Sequence, residues 1–165
     1  MDQPRYYIEK GVIQAVDPPE SHFGFSYWSL MIPPICPNSV LMLGCGEHTI
    51  PKLIERIWGL FDLTCNEEED AFEFVKTLKG RTFDYIIIDL FDGSQPIDRI
   101  ASDNFVQDIA ELSNGLVAVN SNTTLYIDRA YRHHFEKVLE KRLNNNVVTF
   151  MKRNGVERQY FAVKP

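Results

Sequence analysis

The sequence lacks several features that would have fixed its class at once. No apolar run approaches the ~20 residues that a bilayer-spanning helix needs, so no membrane partner is expected. Three cysteines, Cys36, Cys45 and Cys65, form no C-x-x-C and no Cys/His pattern. They read as reduced, mostly core thiols of a cytoplasmic protein. Positive charge is in deficit: 17 Lys+Arg stand against 23 Asp+Glu, a net charge of -6 at pH 7. An acidic chain does not attract a phosphate backbone over a broad surface, so nucleic acid is not an expected partner. The opening MDQPRYY has neither a basic n-region nor an apolar h-region, which predicts no signal peptide. There is no internal repeat and no low-complexity tract. What is present, 44% hydrophobic and 24% charged residues over 165 positions, is the profile of one globular domain able to bury its own core.

The chain is organised around Ser39–Ile54, SVLMLGCGEHTIPKLI. Val40-Leu41-Met42-Leu43 is an unbroken apolar run, the signature of a strand buried on both faces of a parallel sheet. Gly44-Cys45-Gly46 then turns the chain, Pro51 suits a first helical turn, and Ile50, Leu53, Ile54 and Ile57 have helical spacing. Strand, Gly-x-Gly turn and helix come in the order of a nucleotide-binding βα unit, in which glycine admits close backbone approach and the helix start offers N–H groups; a purely structural βα turn fits the same residues equally well. A third glycine is absent, which argues against a dinucleotide dehydrogenase.

On either side of this unit the reading is as follows. Arg5–Val16 predicts a β-hairpin about Glu9-Lys10-Gly11, and Asp17–Phe23 a loop. Phe25–Met31 predicts one or two helical turns, ended by Pro33-Pro34 and Pro37. Phe61–Cys65 predicts a strand and Ala71–Leu78 a short helix stopped by Gly80. Phe83–Leu90, with its Ile86-Ile87-Ile88 centre, predicts the deepest strand. Asp103–Leu112 predicts a helix capped by Ser102 or Asp103, and Gly115–Asn120 a further buried strand. Ala130–Leu143 predicts an amphipathic helix, and Val147–Met151 with Gln159–Val163 a closing hairpin about Arg153-Asn154-Gly155. Alternating strands and helices with a final antiparallel pair describe an open, doubly wound α/β sheet. The division expected is 1–34 for the N-terminal hairpin and aromatic segment, and 35–165 for the sheet domain.

Ligands of such sheets bind beyond the carboxyl ends of the strands. Glu47, Glu67, Asp70, Asp89 and Asp92 fall there. Carboxylates at one sheet edge can hold a ribose or an amine, or accept a proton from a nucleophile. Any of them can equally be a cap or a turn former, and Asp92-Gly93 is a common turn pair. Tyr6, Tyr7, Phe23, Phe25, Tyr27 and Trp28 crowd the segment before the core; a cluster of this kind mostly packs the hairpin on the sheet or on a second subunit, and a homodimer is suggested.

Six stretches taken in order resemble the spermidine synthase family, the aminopropyltransferases and their methyltransferase-fold relatives. They are Gly11-Val12-Ile13-Gln14, Phe25-Ser26-Tyr27 with Met31, VLMLGCGEHT, Asp70-Ala71 with Phe72 and Phe74, Phe83–Asp92, and Gly115–Asn120. The resemblance implies a Rossmann-like, class I methyltransferase-like domain. It implies a donor that is S-adenosylmethionine or decarboxylated S-adenosylmethionine, a small acceptor such as a polyamine, and no metal. Gln14, Gly44, Gly46, Glu47, Glu67, Asp70 and Ala71 would line the nucleoside-thioether site, with Asp70 on the adenine amino group and Glu47 where the family has an aspartate. Asp89 would orient or deprotonate the acceptor, and Asp92 and Tyr27 would line its site. The chain departs from the family in three places. The stretch before Asp70 is short by about one βα unit, and the acid that clasps the ribose goes with it, leaving Asn66 or Glu67 as stand-ins. His48 and Thr49 replace small residues. Phe91 and Gly93–Pro96 replace the family's loop. A non-catalytic, shortened relative acting in binding or assembly is the alternative these departures support.

Overall fold

A computed structural model describes residues 27–93, 95–122 and 125–156, with residues 5–9 and 12–17 and Leu125 as backbone. The expected turn at Lys10-Gly11, most of the loop to Phe23, Phe25, Ser26, Ser94 and Gln159–Val163 lie outside these residues, as does the side chain of Gln14. β1 (Arg5–Glu9) and β2 (Val12–Asp17) form the expected antiparallel hairpin, a two-stranded sheet of its own. After a 3₁₀ turn at Tyr27–Met31 come β3 (Ser39–Leu43), α1 (Thr49–Trp58), β4 (Asp62–Cys65), α2 (Ala71–Thr77) and β5 (Phe83–Ile88). A two-residue pair, β6 (Phe91–Asp92) and β7 (Gln95–Pro96), interrupts the loop that follows. The chain continues through α3 (Asp103–Leu112), β8 (Ser113–Ser121), α4 (Leu125–Tyr131), β9 (Phe135–Leu143) and β10 (Asn146–Arg153).

The main sheet has six strands in the order β4-β3-β5-β8-β10-β9. The first four run parallel, and β10 is antiparallel to both its neighbours. Strand alternation divides the core into two layers. Leu41, Leu43, Ile86, Ile88, Val117 and Val119 pack under α2, α3 and α4, through Phe72, Val75, Phe105, Ile109 and Tyr131. Val40, Met42, Tyr85, Ile87, Leu116 and Ala118 pack on the opposite face against Trp28, Met31 and the Ile50, Leu53 and Ile54 stripe of α1. Each of the large aliphatic and aromatic side chains contributes about 1.5–3 kcal/mol on burial, and a parallel strand covered on both faces is apolar at both parities through its centre, with polar residues kept to its ends. The result is the mostly parallel, doubly wound sheet with a C-terminal antiparallel hairpin that the sequence predicts.

Two local expectations are corrected. Residues 130–143 are a helix only as far as Tyr131; the rest is edge strand β9. Phe150 pairs with Leu139 but Met151 pairs with Lys137, so Val138 is a bulge residue. The bulge resets the alternation and places Phe135, Val138, Leu139 and Leu143 at spacings that imitate a helix. Val147–Met151 closes a hairpin with β9, turned at Asn144-Asn145, and is bonded to β8 on its other side; the partner expected at Gln159–Val163 lies outside the described residues. Cys45 and Cys65 are joined as a disulfide, whereas Cys36 is free and exposed. β3 and β4 pair in parallel with Met42 opposite Cys65, and this register carries Cys45, on the turn just beyond, to a Cα distance of 6.2 Å from Cys65.

The entry of β3 is fixed by a carboxylate from its neighbour. Asp84 Oδ2 accepts from Asn38 N–H at 2.8 Å and Oδ1 from Ser39 N–H at 2.9 Å, while Ser39 Oγ accepts from Asp84 N–H at 3.1 Å. Removing the carboxylate takes the acceptor from two backbone donors, that of exposed Asn38 and that of half-buried Ser39. Asp84→Ala is expected to lower stability by about 1–3 kcal/mol, seen as a fall in the urea midpoint at unchanged slope.

Candidate active site at the carboxyl edge of the sheet

The turn after β3 is built on left-handed backbone. Gly44 has φ 88° and Gly46 φ 52°. Gly44 passes so close to the end of β5 that a Cβ there would stand 2.0 Å from the Asp89 carbonyl oxygen. Its N–H donates to Asn66 Oδ1 at 2.9 Å, and Asn66 Nδ2 donates to Glu69 C=O at 2.7 Å, so buried Asn66 ties the turn to the loop after β4. His48, at φ 62°, precedes α1 without a side-chain cap of its own.

Asp89 stands one residue past β5, beside this turn. Its Oδ2 accepts from the Tyr27 hydroxyl at 3.1 Å and its Oδ1 from Asn120 Nδ2 at 3.0 Å. Asn120 is fully buried in β8, and its own Oδ1 has no partner among the described residues. Burial pushes the Asp89 carboxyl up from 3.8 to about 6, against the two hydrogen bonds, which favour the charged form. Burial, and then the Asp89 charge, push the Tyr27 phenol well above its ordinary value, so Tyr27 stays a neutral donor. Asp89 keeps one face toward a cavity of about 170 Å³ lined by Tyr27, Trp28, Gly44, Gly46 and Phe91. A carboxylate with this affinity is ionised at neutral pH and yet basic enough to take a proton from a bound nucleophile. Across Gly46 lies a second, open cavity of about 550 Å³, lined by Glu47, His48, Lys52, Glu67 and Glu68.

The sequence matches no family model. No curated protein matches it. Solved structures do. A putative S-adenosylmethionine-dependent methyltransferase from Streptococcus mutans aligns with a TM-score of 0.56 at 14% identity, over 92% of this chain and 56% of that one. The 1,6-didemethyltoxoflavin-N1-methyltransferase of Burkholderia thailandensis, solved with 1,6-didemethyltoxoflavin and S-adenosylhomocysteine, aligns at 0.53 and 15% identity, over 83% of this chain and 77% of that one. An O-methyltransferase family protein from Burkholderia thailandensis aligns at 0.54 and 9% identity, over 84% of this chain and 56% of that one. The fold is a Rossmann-like methyltransferase fold.

Within this methyltransferase fold, the residues singled out in the sequence divide into three groups. Tyr27, Gly44, Gly46 and Asp89 meet around one cavity. Glu47 and Glu67 lie on the adjoining open cavity, with the Glu67 carboxylate 3.2 Å from His48 Nε2. Asp70, Ala71 and Asp92 are not brought to either. Asp70 Oδ1 accepts from Phe72 N–H at 2.8 Å and so caps α2, and Ala71 is buried beneath that helix. Asp92 points away in β6, onto a cavity shared with Arg99, Asn122 and Tyr126, because the β6–β7 pair turns the chain over. For Gln14 only the strand position is described. Asn120 is the partner of Asp89 that sequence reasoning missed. Its signal was present: it ends the GLVAVN strand, and Ile88 opposite Val119 sets Asp89 beside it. Asn66 sits where the resemblance places the loss of the ribose acid, and both ends of its amide are already engaged.

Proposed function

We propose that this chain is a small-molecule group transferase that takes S-adenosylmethionine as donor and uses Asp89 to activate the acceptor. The observation that carries this reading is the Tyr27–Asp89–Asn120 cluster, a desolvated carboxylate held on two donors and facing the Gly44–Gly46 turn. The methyltransferase-fold neighbours support the donor, one of them being solved with S-adenosylhomocysteine. The nucleoside end would lie across Gly46 toward Glu47 and Glu67, whose carboxylates suit ribose hydroxyls, and the sulfonium end toward Tyr27 and Asp89. A nucleophilic N–H or O–H of the acceptor donates to Asp89 and attacks the carbon on sulfur. The new bond forms as the S–C bond breaks, sulfur leaves as a neutral thioether, and the proton passes to Asp89. Trp28 and Phe91 wall the cavity and limit competing water. The methyl group is the expected cargo; transfer of an aminopropyl group from decarboxylated S-adenosylmethionine to a polyamine is the finer possibility raised by the sequence motifs.

Two observations favour the non-catalytic reading. The cavity beside Asp89, at about 170 Å³, is smaller than the ~300 Å³ at which ligand pockets begin, and Asn66 is committed to the fold. Calorimetry with S-adenosylmethionine, S-adenosylhomocysteine, methylthioadenosine and decarboxylated S-adenosylmethionine decides between them. Micromolar binding to one or more is expected, with Glu67→Ala weakening it about tenfold through loss of a ribose contact. No heat with any of the four compounds would overturn the transferase reading.

A further inference from the structure

Beside the proposed donor site, two loops bring together donor atoms of another kind. Cys45 and His48 stand three residues apart on the turn after β3, and Cys65 and Glu67 two apart at the end of β4, spacings too sparse to read as a metal motif in the sequence. One such pair is weak evidence in a sequence, and the structure supplies its partner. Cys45 Sγ, a ring nitrogen of His48 and Cys65 Sγ all lie within 4.8 Å of one another. His48 Nε2 is 3.9 Å from Cys65 Sγ and 3.2 Å from Glu67 Oε1. The backbone is bent to achieve this. His48 and Glu67 adopt φ 62° and 49°, and among the described residues the only other non-glycine with positive φ is Asn144, in the β9–β10 turn. Left-handed backbone costs about 1 kcal/mol at such residues, and both instances outside that hairpin turn present a side chain to this cluster.

We propose that, once the Cys45–Cys65 disulfide is reduced, Cys45, His48, Cys65 and Glu67 bind one zinc-type divalent cation. Two thiolates, an imidazole and a carboxylate form a four-ligand set of the borderline-soft kind that Zn²⁺ takes in tetrahedral geometry. Reduction of the disulfide by a thiol yields two Cys thiols and the reductant's disulfide. Metal binding then displaces the two thiol protons to solvent, and the sulfurs keep their electron pairs as ligands. The open cavity over His48 and Glu67 is the entry path. The disulfide and the metal use the same two sulfurs, so each state excludes the other. Either one would clamp the glycine turn to the end of β4. The site contains neither Asp89 nor Tyr27, but it shares Glu67 and the open cavity with the proposed nucleoside site; a metal titration run without any donor separates its failure from that of the transferase reading.

Anaerobic titration of the reduced chain with Co²⁺ tests this directly. A count of three free thiols certifies the reduced state, and circular dichroism the fold. One equivalent of Co²⁺ should give thiolate-to-cobalt charge-transfer absorption with tetrahedral ligand-field bands, which one equivalent of Zn²⁺ abolishes. Cys36→Ser should leave the spectrum intact. Cys45→Ser and Cys65→Ser should weaken binding about 100-fold, and Glu67→Gln about tenfold. The oxidised wild-type chain, with one thiol left, should stay silent. A folded chain with three thiols that shows no charge-transfer band would overturn the proposal. So would a band that survives Cys65→Ser or appears in the oxidised chain.

Discussion

Gly44→Ala is expected to destabilise the protein by on the order of 3–5 kcal/mol, enough to unfold a domain of ordinary stability at moderate temperature. The added Cβ would meet the Asp89 carbonyl oxygen at 2.0 Å and its carbon at 2.8 Å. Neither is a side-chain atom that can swing aside. The Asp89 N–H is in turn bonded to the Leu43 carbonyl at 2.9 Å, so relief requires β3 and β5 to part at the carboxyl end of the sheet. The φ of 88° adds a conformational cost that no other L-residue avoids. Gly46→Ala makes the informative contrast. Its φ is 52°, but an added Cβ there meets nothing within 4 Å. About 1 kcal/mol of backbone strain is all that stability should lose. Because Gly46 borders both cavities, donor affinity should fall well beyond what that modest destabilisation explains. Urea midpoints for the two variants, read beside calorimetry on the Gly46 variant, check both halves. Equal losses of stability would mean that the close crossing of the turn and β5 is not what requires glycine at position 44.

How far these features were legible in the sequence depends on whether they were local. Val40–Leu43, the glycine turn and the α1 stripe announce themselves because burial on both faces, positive φ and helical periodicity each leave a local mark. Ile86-Ile87-Ile88 does the same for the central strand. β9 does not, because one bulge at Val138 converts a two-residue period into spacings of three and four, and because an edge strand tolerates the charges of Glu136, Lys137 and Lys141. The candidate site was legible where a motif coincides with a strand end, as at Asp89. It was illegible where a carboxylate has two possible employments. Asp70 fits a binding motif and an N-cap equally well in one dimension, and the structure adds the cap, with Oδ1 accepting from the Phe72 N–H at 2.8 Å. Asn120 and the Cys45–His48–Cys65 neighbourhood depend on which strands become adjacent, and single-sequence periodicity does not carry that information.

Asp89→Asn should reduce transfer activity about 10²- to 10⁴-fold and at the same time stabilise the protein near pH 8. Both effects follow from the same desolvation. Burial holds the folded-state carboxyl at about 6 against 3.8 for the ordinary value. The folded chain therefore binds a proton more readily than the unfolded one between those values. The favourable contribution of protonated Asp89 is complete below the unfolded value and is lost as pH rises through about 6. Above that, the ionised group costs up to about 3 kcal/mol at 1.36 kcal/mol per pH unit, and about 1–3 kcal/mol once its open face to the cavity is allowed for. Asparagine keeps the shape without the charge, and the unpartnered Asn120 Oδ1 gives the new amide N–H an acceptor if the neighbouring amide turns. The variant's melting temperature should exceed that of the wild type at pH 8, and the gap should close by pH 4. Wild-type activity should rise with pH through about 6 and then level off, as the base loses its proton. Full activity in the variant would remove Asp89 from the mechanism. A variant less stable than the wild type at pH 8 would mean that the Tyr27 and Asn120 hydrogen bonds outweigh desolvation. Asp89 would then be a structural anchor for the end of β5 and not a poised base.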